Sequence, residues 1–426
     1  MPEEFLEYRL KNLIDFRSGY TWRKEQESSA PVEGSVRVLT VSNIQQELDL
    51  SSELYLINVP EKDKKEKKAE RGWSIAVGSN GNRKRIGNAV YINTDDEYLF
   101  ASFLVGFKPK PESGLHPRYF YQWLTSYPVQ ERITVVSAGT TGLGNLNIRH
   151  FRNMRIQYPK KYTEQEAIVR IFETLDETLK ATQNAIAQAQ QLKKALMQHL
   201  LSGRLKPDGT WREPDEFYVD ERVGKVPKDW CVYRMAELGK FYGGATPSTQ
   251  QQSYWNGDIY WLVPSDISGL GDEENFIQET ADKMTELGLA SCSATMLPQG
   301  TVSMSSRATL GDCGILEKNM CTNQGFINIV CNEKILNTYL LYWIRQNKKY
   351  ISRYAAGTTF LEIGRRQFKK LRLSIPEIDE QKKIIDLLTC VDDLLKVKRV
   401  KINKLKKLKK ALMQNLLTGK IRLQAE

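Results

Sequence analysis

One twelve-residue phrase, written twice, constrains this 426-residue chain more than any other feature. Residues 192–203 read LKKALMQHLLSG and residues 408–419 read LKKALMQNLLTG, with ten of the twelve positions identical at an offset of 216 (192 to 408). That is about half the chain, so the sequence reads as a duplication in which each half is a globular domain followed by a helix. An apolar seam runs into the first copy through Leu175, Leu179, Ile186, Ala189, Leu192, Leu196 and Leu200. Adding 216 to each gives Val391, Leu395, Ile402, Leu405, Leu408, Leu412 and Leu416, all apolar. Steps of three and four are those of a coiled coil. One polar interruption falls at the same place in both seams, Thr182 and Lys398. Thr163 is a fitting N-cap with Glu166 three positions on, and Gly203 is a fitting stop. A helix of roughly 28 residues is about 42 Å long at 1.5 Å per residue. The two helices are expected to pack on each other, antiparallel, about an approximate two-fold axis. The alternative is that each packs on its own domain.

The rest of the chain divides accordingly. Residues 1–160 form a first domain, 161–204 the first spacer helix region, 205–376 a second domain with a turn-rich connector at 205–230, and 377–426 the second helix region. Sparse matches link the domains. Tyr8-Arg9-Leu10 and Leu13 match Tyr233-Arg234-Met235 and Leu238, and Leu39, Ser42 and Ile44 match Leu262, Ser265 and Ile267. Gly106-Phe107 is paired with Gly325-Phe326, Tyr119 and Trp123 with Tyr339 and Trp343, and Phe151 and Pro159 with Phe368 and Pro376. Ala138-Gly139-Thr140-Thr141 recurs as Ala356-Gly357-Thr358-Thr359, and Glu164-Gln165 as Glu380-Gln381. Residues 36–41, 73–78 and 89–92 read as strands, 118–126 as a helix, and 61–71 as a solvated loop or short helix. The fold class expected is α+β: two homologous mixed α/β domains separated by two long antiparallel coiled-coil helices, with pseudo-two-fold symmetry.

The net charge is +11 and the pI about 9.1, which favours a polyanion partner. All six cysteines lie in the second half without a C-x-x-C pair, which reads as free thiols in a reducing compartment. Three histidines, His116, His150 and His199, show no metal-ligand spacing. The start, Met1-Pro2-Glu3-Glu4, is acidic without an apolar signal region, and no run of eighteen apolar residues exists. A cytoplasmic protein with no membrane partner is the expectation. There is no G-x-x-x-x-G-K-[ST] loop and no G-x-S-x-G, and Gly142-Leu143-Gly144 continues as Asn-Leu-Asn, so it is not a dinucleotide fingerprint. A binding protein is expected rather than an enzyme, with no catalytic residues and no metal.

This architecture resembles the DNA-specificity (S) subunits of type I restriction-modification systems over the whole chain. The helix endings Ala195–Gly203 and Ala411–Gly419 look like that family's helix-end phrase. Gly224-Lys225-Val226-Pro227-Lys228-Asp229-Trp230 resembles its usual domain start, as does Gly243-Gly244-Ala245-Thr246-Pro247-Ser248 followed by Tyr254–Ile259. The first domain departs, with Ser18-Gly19-Tyr20-Thr21 in place of Gly-Gly-x-Thr-Pro-Ser. The resemblance implies that each domain is a target-recognition domain reading one half of a bipartite double-stranded DNA target. The helices would set the spacer and dock two methyltransferase (M) subunits. Motor-nuclease (R) subunits would join through M. S-adenosylmethionine, ATP and Mg would belong to those partners, with no cofactor in this chain.

Base readout needs polar side chains on loops that reach a groove, and phosphate contacts need cations. In the first domain the candidates are Ser79, Asn80, Asn82, Arg83, Lys84 and Arg85, with Thr140, Thr141, Arg149 and Arg152. In the second they are Thr246, Ser248, Ser305, Ser306, Arg307, Thr358, Thr359, Arg365 and Arg366. The alternative reading of each is ordinary loop polarity, and the repeated Thr turns are equally suited to holding backbone. From Lys396 to Lys410, nine of fifteen residues are Lys or Arg and none is acidic, a face for nucleic acid, for an acidic partner, or simply for solvent.

Overall fold

A computed structural model describes residues 5–137, 144–307, 309–356 and 361–423. The chain forms two compact units, Met1–Ala181 with Ile402–Glu426, and Thr182–Lys401. The linear segments read from sequence therefore regroup: each unit holds one globular domain together with pieces of both long helices.

In the first unit the domain core is an antiparallel four-stranded sheet, in the order Ile14–Ser18, Leu104–Pro109, Ser74–Val77, Ala89–Tyr91. The second unit repeats it as Gly239–Tyr242, Phe326–Cys331, Val302–Ser305, Cys313–Leu316, and adds Phe276–Ile277 in parallel. Each domain is closed by a two-stranded ribbon of its first and last strands, Phe5–Arg9 with Arg155–Pro159 and Cys231–Arg234 with Arg372–Ile375. The helices Pro117–Leu124 and Asn337–Gln346 lie in the two cores, with Tyr119 and Tyr339 fully buried.

Backbone pairing tests the sequence matches directly. Ala101 donates its N–H to Leu39 O at 2.8 Å and Asn323 donates to Leu262 O at 3.0 Å, so Leu39 and Leu262 are equivalent, as read from sequence. The pairing of Gly106-Phe107 with Gly325-Phe326 is corrected. Phe107 stands opposite Ser74 and Phe16, whereas Ile329 stands opposite Val302 and Phe241. Strand register therefore aligns Gly106-Phe107 with Asn328-Ile329, and the Gly325-Phe326 pair sits three residues early. The strand expected over 36–41 ends at Leu39, because the Asn43 side chain accepts from Thr40 N–H at 2.7 Å and bends Val41–Asn43 into a 3-10 turn. The charged stretch after Pro60 is a helix, Glu61–Lys67.

The long helices, α1 (Tyr162–Leu200) and α2 (Ile378–Leu416), have 39 residues each. At 1.5 Å per residue that is about 58 Å, longer than the seam alone suggests. The extra turns join the domain cores: Ile168, Val169 and Phe172 the first, with Met413 and Leu416 from the end of α2, and Ile384 and Leu388 the second, with Met197 and Leu200 from the end of α1. Thr163 lies inside the first turn of α1, not at its cap.

Both helices dock through the same glutamine. Gln165 Nε2 donates to Pro159 O and Gly114 O, while its Oε1 accepts from His116 N–H at 2.7 Å. Gln381 does the same with Pro376 O, Lys334 O and Leu336 N–H. Beside each, a glutamate receives an arginine from the segment after the other helix. Arg422 makes a two-pronged contact with the buried Glu164, both at 2.7 Å, and Arg212 reaches Glu380 at 3.0 Å. Both helices end on glycines in the left-handed region, Gly203 at φ 68° and Gly419 at φ 71°, where a Cβ would be strained.

Within each unit α1 and α2 run antiparallel. In the second, the Lys193 ammonium is 2.5 Å from Asp392 Oδ1, with side chains 8% and 1% exposed. Tyr342 OH donates to Asp392 Oδ2 at 2.6 Å, and Lys193 also donates to Asp272 O at 2.7 Å. Burial and the adjoining carboxylate hold the Tyr342 phenol above its ordinary pKa, so it remains the donor. In the first unit Lys409 pairs with Asp176. The offset of 216 carries Lys193 to Lys409 and Asp176 to Asp392, so one ion pair occurs twice.

The seam is accordingly corrected at two places. Leu192 and Leu408 are 50% and 47% exposed, because the inward position is taken by the next residue, Lys193 or Lys409. Ala189, Leu200, Val391, Leu395 and Leu416 are buried as expected, and Leu175, Leu179, Ile186, Leu196, Ile402, Leu405 and Leu412 are half-buried.

The two ion pairs differ in burial, which sets their energetic weight. Asp392→Ala strands a buried ammonium and should cost about 3–5 kcal/mol in denaturant unfolding. Lys193→Met with Asp392→Leu should recover most of that loss. Asp176→Ala, at a pair 24% and 40% exposed, should cost no more than about 1 kcal/mol. Equal losses at the two sites would contradict this account.

Candidate nucleic-acid interface

Each domain holds its polar edge in place by a close backbone approach. A Cβ at Gly19 would lie 1.9 Å from Ala101 O, and one at Gly244 would lie 2.1 Å from Asn323 O. The next residues hydrogen-bond across that contact, Tyr20 N–H to Phe100 O at 2.7 Å and Ala245 N–H to Thr322 O at 3.0 Å. The two loops are therefore equivalent, although their sequences differ. In the second domain the loop continues to Thr246, whose hydroxyl meets Gln324 Oε1 at 2.5 Å, and to Ser248, exposed and held by Trp255 Nε1 on its carbonyl.

Just past the central strand of each sheet the chain makes a second edge. Gly78 N–H donates to Phe103 O and Ser306 N–H to Gly325 O, both at 2.8 Å. Leu146 N–H donates to Gly78 O, and Ile363 N–H to Ser306 O. Ser79 then pairs with Asn145, and Arg307 with Glu362. Arg307 therefore occupies the place of Ser79.

The other candidates separate into those on the surface and those buried or tied to backbone carbonyls. Asn80 Oδ1 accepts from Asn82 N–H at 2.8 Å, and Asn82 Oδ1 accepts from Lys84 N–H at 3.1 Å. These bonds hold a turn that exposes Arg83 and Lys84. Arg85 is a structural tie instead: its guanidinium donates to Val41 O at 3.0 Å and Ile44 O at 2.7 Å. Ser305 and Ser306 are buried, and their hydroxyls donate to Arg307 O and Gly325 O, which removes both from any groove. Arg307 is half-buried, with no hydrogen bond or ion pair from its guanidinium among the described residues. Arg149 and Arg152 stand exposed on the helix Ile148–Asn153, capped by Asn147, and Arg365 and Arg366 on Arg365–Phe368. Thr140, Thr141, Thr358 and Thr359 lie outside the described residues.

Arg365 and Arg366 open a cleft in the second domain. Its lining is Arg222, Arg234, Ala236, Arg365, Arg366, Lys369, Lys370 and Arg372, seven cations and one alanine. None of the seven has an ion-pair partner among the described residues, so the site suits a polyanion. Arg365 also touches the loop that runs from Gly243 to Ser248, its Nη1 lying 3.5 Å from the position of a Cβ on Gly243. The run from Arg365 to Arg372, five cations in eight residues, was visible in sequence. Arg222 and Arg234 were not, since only the ribbon and the connector hairpin Phe217–Asp220 with Gly224–Pro227 bring them there. The corresponding helix of the first domain has Ile148, Arg149, Arg152 and Asn153. Of the basic run on α2, Lys396 and Arg399 pair with Glu274 and Glu273, and Lys401, Lys404, Lys406 and Lys407 are exposed. No group of His, Cys, Asp and Glu among the described residues is placed to hold a metal ion. No helix among them is long and apolar enough to cross a membrane.

Comparison with known proteins agrees with this geometry. A family model described as the type I restriction modification DNA specificity domain matches residues 2–191 and 227–407. The chain belongs to this family. It is 34% identical over 200 residues to the type I restriction enzyme MjaIX specificity subunit of Methanocaldococcus jannaschii, a match covering 46% of each. A putative MjaX specificity subunit of the same organism is 22% identical over 100% of this chain and 95% of that one. The chain thus spans about half of the first relative and nearly all of the second. Among solved structures, an S subunit from M. genitalium aligns with TM-score 0.58 at 15% identity, over 97% of this chain and 96% of that one. A chain from a type I R-M system aligns with TM-score 0.60 at 16% identity over 98% of each. These two show the shared fold.

The cationic cleft should act on backbone rather than on sequence. Lys369→Gln with Lys370→Gln should leave thermal unfolding unchanged. It should weaken binding to every duplex alike and flatten the slope of log K against log salt by about one for each phosphate no longer neutralised, read from titrations at several salt concentrations.

Proposed function

We propose that this chain is the non-catalytic, sequence-reading subunit of a type I restriction-modification complex, with each domain reading one half of a bipartite DNA target. The observation that carries the reading is the recognition edge, built twice with the same backbone hydrogen bonds and different side chains. A shared frame with divergent contacts is what two different half-sites require. Family membership supports the non-catalytic role.

Two methyltransferase subunits would dock on the paired helices, and motor-nuclease subunits would join through them. S-adenosylmethionine, ATP and Mg would belong to those partners, in the cytoplasm. An exposed apolar row on α2, Leu387, Leu394 and Val397, supports a helix-bound partner, since these three repeat on one face of the helix. The continuous helices would set the unread spacer between half-sites.

Two experiments test this reading. Replacing residues 1–160 with the corresponding domain of another such chain should change one half of the target and leave the other intact. A target unchanged in both halves would exclude the reading. Four residues inserted after Ala181 and four after Lys401 keep both Lys–Asp pairs in register. They should lengthen the spacer by about two base pairs, from about 6 Å of added helix at about 3.4 Å per base pair. An unaltered spacer would exclude the ruler.

A further inference from the structure

The two recognition edges differ in a chemically ordered way. Ser79 and Arg307 are equivalent by three backbone contacts, as are their cross-strand partners Asn145 and Glu362. The carbonyl that fixes each edge comes from Phe103 in one domain and Gly325 in the other. Phe103 is 55% exposed at this edge, and Asn145 and Glu362 are also exposed. At Gly325 an added Cβ would lie 3.3 Å from Arg307 Nε, so the glycine leaves room for the guanidinium. A small residue therefore stands beside a large one in each edge, serine with phenylalanine and glycine with arginine.

We propose that these edges select base pairs of opposite type, the first domain's an A·T pair and the second domain's a G·C pair. Asn145 has the amide geometry that bonds adenine N6 and N7 together, and Phe103 supplies an apolar face for the thymine methyl. The Arg307 guanidinium matches guanine O6 and N7, and the Glu362 carboxylate accepts from cytosine N4. The two sets are complementary to opposite pairs and fit each other's pair badly: Glu362 finds no matching donor on thymine, and Phe103 finds no methyl on cytosine. This inference rests on the proposal that the domains read DNA.

The test is selection from randomised duplexes by the chain assembled with its partner subunits, for the wild type and for Phe103→Ala, Asn145→Ala, Arg307→Ala and Glu362→Ala. Phe103→Ala and Asn145→Ala should each relax the preference at one A·T pair by about ten- to a hundredfold, with the rest of the target and the salt slope unchanged. Arg307→Ala and Glu362→Ala should do the same at one G·C pair in the other half. Phe103→Leu keeps an apolar contact and should retain the preference, so loss of folding cannot imitate the result. Unaltered preferences in the four variants, or relaxation at a pair of the other type, would overturn the proposal while leaving DNA reading intact. A wild type that selects no sequence would overturn DNA reading itself.

Discussion

The Lys–Asp pair between the long helices is the contact on which the rest depends. It occurs twice, as Lys193–Asp392 and as Lys409–Asp176, and in each unit it fixes which turn of α1 faces which turn of α2. An apolar seam repeating every three or four residues tolerates a slip of one heptad. A buried charge does not, because a slip would strand an ammonium or carboxylate without its partner. The buried copy is the costlier one to disturb: Tyr342 and Asn275 also bond to Asp392, and Arg345 bonds to Asn275 in turn. Register fixed in this way lets each helix deliver its glutamine and glutamate to the domain it starts from, and its glycine stop to the other.

The frame was largely legible in sequence because repetition exposes it. The twelve-residue phrase, Glu164-Gln165 with Glu380-Gln381, and the Leu39–Leu262 match each correspond to equivalent structure. Periodicity alone failed where a polar residue turns inward. Leu192 and Leu408 satisfy the spacing, yet the following lysines take the inward position because Asp392 and Asp176 lie opposite them. No single-sequence pattern reveals a partner roughly two hundred residues away.

The polar edge was only partly legible. Arg307, one of the sequence candidates, follows a strand and stands at the position equivalent to Ser79. Ser305, Ser306 and Arg85 were polar for structural reasons, each satisfying backbone carbonyls. Polarity in a loop does not distinguish a ligand contact from a turn support, because both need the same atoms. Asn145, Glu362 and Phe103 were not legible as members of this edge for the converse reason. Strand pairing across more than fifty residues in each domain brings Asn145 and Glu362 to the edge, and a turn brings Phe103.

One frame carries two unlike edges, and the DNA target selected by the assembled complex reports on both at once. Selection from randomised duplexes should return two short specified blocks of different sequence, separated by an unread spacer of fixed length. One uninterrupted block, or two blocks at variable spacing, would contradict the account.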